Sequence, residues 1–179
     1  METFYKPFRE VGGDYFDIIT LPSNQTLLVL ADVSGKGDSA ALLAANIQAL
    51  VRSIASSEED PLTFAQQINQ HLNRYAPPGR FATAVFLLLN HESGKLTFVN
   101  AGHNAPILFG PDSKTLLNAT GMPLELFADA KYESGSAFLH CGNSLLLFTD
   151  GLPDSISGHD PERVSTQPSQ LSRDPQCPI

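Results

Sequence analysis

The order of apolar and polar residues predicts two strands and then two helices in the first half of the chain. Residues 15–20 are aromatic and β-branched, and residues 26–31 form an almost continuous apolar run, so we expect two strands, the second buried on both faces. Asp38 or Ser39 suits the N-cap of a helix, and the apolar residues Leu43, Ile47, Leu50 and Ile54 recur at helical spacing, which predicts a helix to about residue 56. Asp60, followed by a proline, predicts the start of a second helix.

The second half of the chain, from residue 81 to about residue 149, has the short apolar runs and turn residues that are typical of strands. Residues 81–89 and 95–100 flank a short Gly-containing turn, which predicts a hairpin, and residues 107–109 predict a short strand. Residues 133–140 and 144–149 predict a further hairpin, in whose turn Cys141 would be a packing residue. Two helices between runs of antiparallel strands indicate an α+β fold rather than βαβ units.

The pattern of apolar residues ends near residue 155. Four prolines then punctuate a segment rich in Ser, Gln, Asp and Arg, which is typical of disorder. We therefore predict a folded core over residues 1–156 and a disordered tail over residues 157–179.

Composition narrows the possible functions. The 179 residues carry 11 Lys and Arg against 19 Asp and Glu, a formal net charge of -8. This acidic balance argues against nucleic acid and anionic membranes as partners and is compatible with a cation site. No apolar stretch has the length of a membrane helix and the first residues lack the apolar centre of a signal peptide, so we expect a soluble cytoplasmic protein without membrane insertion. Two cysteines are too few for a disulfide framework.

Three carboxylates stand where predicted strands begin or end. Asp32 and Asp150 each follow a buried apolar run, and Asp14 opens the first strand behind two glycines. Carboxylate oxygens in such rigid positions suit Mg²⁺ or Mn²⁺. Strands also often end in Asp-Gly turns for purely structural reasons. The residues alone leave both interpretations open.

Two other polar groups have the same ambiguity. Lys36 lies in a Gly-Lys-Gly turn that lacks the spacing of a nucleotide P-loop, and it could face a phosphate or only shape the turn. His103 and Asn104 could contact substrate or donate a proton, or could form a structural turn.

Several motifs occur in an order that resembles the stage II sporulation protein E-type serine phosphatases, bacterial members of the PPM (protein phosphatase 2C-like) superfamily. The resemblance covers roughly residues 5–155. Its motifs are Gly12-Gly13-Asp14-Tyr15-Phe16-Asp17, Asp32-Val33-Ser34-Gly35-Lys36-Gly37, Asn100-Ala101-Gly102-His103-Asn104-Ala105-Pro106, Gly121-Met122-Pro123-Leu124 and Phe148-Thr149-Asp150-Gly151.

The resemblance implies an α-β-β-α sandwich of antiparallel sheets flanked by helices, with two Mn²⁺ or Mg²⁺ ions between the sheets. Asp32 would bridge both metals, the Val33 carbonyl would be a backbone ligand, and Asp150 would bind the second metal. Asp14 would act at the metal site directly or through a water molecule. The implied reaction is hydrolysis of phosphoserine or phosphothreonine on a protein by a metal-activated water. The implied partner is a phosphorylated anti-sigma-factor antagonist, and relatives often carry an upstream sensor domain.

Both ends of the chain depart from the family pattern. The family usually has a strand before the segment matched by Tyr5-Lys6-Pro7, and it ends with an Asp-Asp element that supplies another metal carboxylate. Asp174, in a Pro-rich context, is a poor substitute for that element. We therefore expect a fold that is incomplete at both ends and a C-terminus that looks truncated.

Three hypotheses follow. The first is a metal-dependent protein serine/threonine phosphatase, whose activity the loss of the C-terminal Asp motif could impair. The second is a catalytically silent pseudophosphatase fragment that binds a protein partner. A phosphohydrolase with an aspartyl nucleophile is a weaker third, because the chain lacks the paired Asp-x-Asp motif that such enzymes use.

Overall fold

The computed structural model describes residue 3 and residues 12–55, 60–77 and 79–151. These parts of the chain contain eight strands and two helices. In chain order they are β1 (Asp14–Leu21), β2 (Gln25–Val33), α1 (Asp38–Ala55), α2 (Pro61–Tyr75), β3 (Ala82–Asn90), β4 (Lys95–Ala101), β5 (Ile107–Phe109), β6 (Lys114–Leu116), β7 (Gly135–Phe138) and β8 (Ser144–Leu146).

The strands form two antiparallel sheets. The larger sheet has the order β1-β2-β3-β4-β7, and the smaller one has the order β6-β5-β8. The apolar run of β2 lies between β1 and β3 and is mostly buried, as predicted. Because neighbouring strands run in opposite directions, the start of β1, the end of β2, the start of β3 and the end of β4 meet at one end of the larger sheet.

Both helices pack on one face of the larger sheet. Helix α1 contacts β1 and β2, and helix α2 contacts β3 and β4. Asp60 caps α2, since its carboxylate accepts hydrogen bonds from the backbone N–H groups of Leu62 and Thr63. Phe64 of α2 stacks on Phe86 of β3 with 6.0 Å between ring centroids, which fixes the helix against the sheet.

The opposite face of the larger sheet packs against the segment that carries the smaller sheet. Six buried side chains form the centre of this second cluster: Leu28, Val85, Leu87, Leu96, Phe98 and Leu117. Leu145 of β8 and Leu147 just after it pack against the cluster. The described residues therefore form helix, sheet and sheet layers, which confirms the predicted α+β fold of antiparallel sheets and helices.

Three predictions about local structure need correction. Residues 133–140 and 144–149 do not form a hairpin, because β7 pairs with β4 in the larger sheet while β8 pairs with β5 in the smaller one. Cys141 lies in the exposed connection between the sheets, so it is not a packing residue. Strand β6 was not predicted, since all three of its residues are exposed and leave no apolar pattern.

The Tyr5-Lys6-Pro7 segment and the predicted tail over residues 157–179 lie outside the described residues, as does the boundary at residue 156. Neither α1 nor α2, the helices of the described chain, is long and apolar enough to cross a membrane.

Candidate functional site

Two of the predicted carboxylates meet at the end of the larger sheet. Asp14 opens β1 and pairs directly with Asp32, the next-to-last residue of β2. Both residues are half-buried. The antiparallel register thus brings together two side chains that are 18 positions apart in the sequence.

The electrostatics of Asp32 reflect this crowding. Burial raises the pKa of Asp32 from 3.8 to about 7, with further contributions from the charges of Asp14 and Asp150 and from a hydrogen bond to Asp14. Two ionised carboxylates repel each other and cannot share a hydrogen bond, so Asp32 keeps its proton to near-neutral pH. A divalent cation between these oxygens would relieve the same repulsion.

Glycine at position 13 leaves room for the Val33 carbonyl. The Val33 amide donates to the Gly13 carbonyl over 3.3 Å, which continues the β1–β2 pairing beyond Asp14. A Cβ atom at Gly13 would lie 2.9 Å from the Val33 carbonyl oxygen, closer than side-chain carbons approach an oxygen. The glycine therefore lets the Val33 carbonyl oxygen lie close to the β1 backbone beside the Asp14–Asp32 pair.

Asp150 reaches the same region from the smaller sheet. It is exposed and follows β8 after a short irregular segment. Thr149, its neighbour, donates a hydrogen bond of 3.0 Å from its hydroxyl to the Asp14 carboxylate. This bond ties the Asp150 segment to β1. The sequence pattern marked Asp150 as a candidate ligand and gave its motif neighbour Thr149 no separate role.

Arg80 holds the turn that follows β2, the strand that carries Asp32. Its guanidinium donates to the Ser34 carbonyl over 2.7 Å and to the Ser39 hydroxyl over 2.5 Å. The Ser34 hydroxyl in turn accepts from the Phe81 amide. Gly35, with φ of 92°, leaves the space that the Arg80 guanidinium occupies. No sequence signal marked Arg80, because its contacts join segments more than 40 residues apart.

His103 is buried next to Thr83 of the larger sheet, and it senses the charge of Asp150, which follows the smaller sheet. Its Nδ1 is 2.8 Å from the Thr83 hydroxyl, and its backbone N–H donates to the Asn100 side chain over 2.8 Å. Burial lowers the pKa of His103 to about 4, against smaller opposing effects of the Phe148 backbone and the Asp150 charge. The ring is therefore neutral at physiological pH.

Asp17, the second acidic residue of the first motif, does not join the site. Its carboxylate accepts two hydrogen bonds of 2.6 Å from Arg52 of α1 and one of 2.9 Å from the Tyr15 hydroxyl. Side chains alternate between the two faces of a strand, so Asp17 faces the helices. Its role in the described structure is to join β1 to α1.

The donor set fits a hard divalent cation. Asp14 and Asp32 supply adjacent carboxylates, Val33 supplies a carbonyl, and Asp150 contributes negative charge. Within residues 12–55, 60–77 and 79–151, however, no three Asp, Glu, His or Cys side chains converge tightly enough to hold a metal ion by themselves. A cation here would thus need the backbone oxygen or water to complete its coordination.

Known proteins of similar sequence and fold include phosphatases. RsbP, a phosphoserine phosphatase of Bacillus subtilis (strain 168), is 28% identical over 160 residues, which cover 86% of this chain and 40% of RsbP. The chain thus spans less than half the length of this relative.

Two solved structures share the fold. The RsbU and RsbW domains of Rv1364c from Mycobacterium tuberculosis match with a TM-score of 0.72 and 28% identity, over 81% of this chain and 40% of that one. RsbX in complex with magnesium matches with a TM-score of 0.69 and 27% identity, over 83% of this chain and 71% of RsbX.

The family profile described as Stage II sporulation protein E (SpoIIE) matches residues 22–170. This span covers β2 with Asp32, the His103 turn and Asp150, and it continues past residue 155, where the resemblance in motifs ended. The match spans most of the chain, and together with the two antiparallel sheets and the ordered motifs it shows that the chain belongs to the SpoIIE family of bacterial PPM-type serine phosphatases.

Proposed function

We propose that this chain hydrolyses phosphoserine or phosphothreonine on a regulatory protein of the anti-sigma-factor antagonist type, with Mn²⁺ or Mg²⁺ as cofactor. The observation that carries the proposal is the Asp14–Asp32 carboxylate pair at the end of the larger sheet, with Asp150 beside it. The relatedness to RsbP, a phosphoserine phosphatase, supports the reaction type. The RsbX structure with magnesium supports the choice of a hard cation.

Each residue of the site has a separate task. Asp32 and Asp14 would hold the metal through carboxylate oxygens, Val33 through its carbonyl, and Asp150 from the other sheet. A metal held by these residues would activate a water molecule and offset charge on the phosphoryl oxygens. Thr149 holds the Asp14 carboxylate in place, and Arg80 keeps the turn after Asp32 closed. No side chain is needed as a nucleophile.

One substitution tests this function. Asp32→Asn keeps the shape of the side chain and removes the charge that a metal needs. We expect the Mn²⁺-dependent hydrolysis of a small aryl phosphate and of a phosphoserine peptide to fall by more than about 100-fold, because several kcal/mol of charge stabilisation are lost. Asp112→Asn is the matched control, since Asp112 is an exposed carboxylate in the turn between β5 and β6. Equal activity of the Asp32 variant and the parent would refute the assignment.

A pseudophosphatase that binds a protein partner is the second candidate. It is favoured by the lack of three converging Asp, Glu, His or Cys side chains within residues 12–55, 60–77 and 79–151. Calorimetric titration with Mn²⁺, together with turnover assays at excess Mn²⁺, separates the two candidates. Binding of a phosphorylated antagonist without turnover at any Mn²⁺ concentration would favour the pseudophosphatase.

A further inference from the structure

Phe81 has a large apolar side chain that is 40% exposed at the end of the larger sheet. A single exposed phenylalanine is ordinary on a protein surface. The position of this one in the sheet is unusual, because it comes directly before β3, whose second residue, Thr83, pairs with Asp32. An apolar side chain so close to the carboxylates can contact whatever binds to them.

The pairing of β2 with β3 continues one residue beyond the ends of the two strands. Val33 pairs with Ala82, and the next residue, Ser34, donates from its amide to the Phe81 carbonyl over 2.9 Å. The Phe81 amide donates to the Ser34 hydroxyl over 3.0 Å. Because both backbone groups of Phe81 are bonded to Ser34, residue 81 keeps the alternation of side chains that the strand has.

This alternation places Phe81 on the same face of the sheet as the carboxylates. Residues two positions apart on a strand share a face, and so do residues that pair directly. Phe81 thus shares the face of Thr83, which is also the face of Asp32 and Asp14. Ala82, in between, is buried in the cluster that holds the inner residues of both helices. One diagonal step of about 7–8 Å separates Phe81 from Asp32.

Hydrogen bonds on both sides hold the backbone that carries Phe81. Arg80, the preceding residue, donates from its guanidinium to the Ser34 carbonyl over 2.7 Å. Ala82, the following residue, exchanges backbone hydrogen bonds of 3.1 and 2.8 Å with Leu124. A substrate therefore does not have to order this segment when it binds. Aromatic side chains on such a fixed backbone are typical of the contacts that contribute most to binding.

On the proposed phosphatase function, we infer that Phe81 is a specificity-determining residue that packs against an apolar side chain of the protein substrate, two positions from the phosphoserine. A phosphate at Asp14 and Asp32 brings the substrate backbone over this face of the sheet. An extended chain advances about 3.3–3.6 Å per residue, so the diagonal step from Asp32 to Phe81 corresponds to about two residues. An aliphatic side chain at that position loses contact with water when it packs on the ring, which favours binding.

Three phosphoserine heptapeptides test this contact. One has only alanine around the phosphoserine, and the other two carry leucine two positions before or two positions after it. With Mn²⁺ present, the kcat/KM of the parent for one leucine peptide should exceed that for the alanine peptide by about tenfold. Phe81→Ala should lower this ratio to nearly one, and a ratio is insensitive to a general loss of active protein. Equal kcat/KM for all three peptides in the parent, or a parent-like ratio in Phe81→Ala, would overturn the inference.

Two further variants separate a substrate contact from a structural role. Phe81→Lys should favour a peptide with glutamate in place of the leucine, a gain that damage to the fold cannot produce. Phe138→Ala is the matched control, because Phe138 is 49% exposed and pairs with Lys95 at the opposite end of the larger sheet. It should keep the leucine preference of the parent. An equal loss of preference in Phe138→Ala and Phe81→Ala, or a retained leucine preference in Phe81→Lys, would contradict the assignment.

Binding measurements distinguish this inference from the proposed function. The probes are the same three peptides with a phosphonate analogue of phosphoserine that cannot be hydrolysed, and fluorescence anisotropy with Mn²⁺ gives their affinities. If the parent hydrolyses no peptide but binds a leucine analogue about tenfold more tightly than the alanine analogue, and Phe81→Ala does not, the proposed reaction fails and the contact remains. If the parent hydrolyses all three peptides equally well, the reaction stands and the contact fails. If it neither hydrolyses nor binds any of them, both fail.

Discussion

At the scale of single residues, the carboxylates of Asp14 and Asp32 lie opposite each other and destabilise the metal-free fold. Asp32 lies half-buried beside a second carboxylate, and burial together with the neighbouring charges raises its pKa to about 7. Side chains chosen only for stability would not place two acids opposite each other in paired strands. Such opposition is typical of sites that bind a cation.

Replacing Asp32 should therefore stabilise the metal-free protein. The unfolded chain loses the Asp32 proton near pH 3.8 and the folded chain near pH 7, so the folded state loses stability as the pH rises between these values. The difference corresponds to about 4 kcal/mol at most, which solvent screening of this half-exposed group reduces to about 1–2 kcal/mol. The free energy of unfolding of Asp32→Asn should therefore exceed that of the parent by about 1–2 kcal/mol at pH 8 and be nearly equal to it at pH 4.

Urea unfolding in the presence of EDTA measures this gain. Asp112→Asn, at an exposed turn, controls for the general effect of removing one negative charge. A loss of stability in Asp32→Asn at pH 8 would contradict the account of the carboxylate pair.

At the scale of elements, the β1–β2 pair depends on a close approach of two backbones. The Gly13 carbonyl accepts from the Val33 amide, and there is no room for a side-chain carbon at position 13 beside the Val33 oxygen. The same pair joins Asp14 to Asp32. A change in the spacing of these strands would therefore move the carboxylates and the carbonyl together.

Gly13→Ala tests this coupling. The added carbon must push the Val33 carbonyl aside, so we expect a loss of about 1–3 kcal/mol in the free energy of unfolding and a weakening of Mn²⁺ binding by about tenfold. Gly142→Ala is the control, because position 142 has φ of 84° and open space around it. It should cost about 1 kcal/mol of strain and leave Mn²⁺ binding intact. Calorimetry and urea unfolding give both quantities, and parent-like Mn²⁺ affinity of Gly13→Ala would count against a role for the Val33 oxygen.

At the scale of the whole molecule, a side-chain hydrogen bond and apolar packing join the two sheets near the site. Thr149 donates a hydrogen bond to Asp14, and the partly buried Leu145 of β8 and Leu147 just after it pack against the larger sheet. A bound cation would add a further link between the sheets. Metal binding and folding are then coupled, because the unfolded chain does not present the assembled ligands.

This coupling predicts a metal-dependent melting temperature. At a Mn²⁺ concentration 100 times the dissociation constant, the parent should gain about 2.7 kcal/mol, which for a chain of this size raises the Tm by about 5–10 °C. Asp32→Asn should show no such rise. Differential scanning calorimetry with and without Mn²⁺ measures both proteins, and an equal rise in the two would place the Mn²⁺ elsewhere.

The sequence predicted most of the elements because their signals are local. The β1–β2 strands, both helices and the Asp60 cap are confirmed within one or two residues at most ends, since apolar spacing and capping residues act over a few positions. The order of motifs also identified the family. The partners of β7 and β8 were predicted wrongly, because the strength of a turn signal does not show which sheet a strand enters.

The candidate site divides in the same way. The sequence marks three acids at the ends of apolar runs, Asp14, Asp32 and Asp150. This pattern is compatible with a cation site, and it also fits ordinary Asp-containing turns. Tertiary structure decides which acids meet. The antiparallel register of β1 and β2 places Asp14 opposite Asp32. Side chains alternate between the two faces of β1, so Asp17 lies on the helix-covered face and contacts Arg52. Contacts made across the sheets, such as that between Thr149 and Asp14, join residues distant in the chain, so only the packed fold determines them.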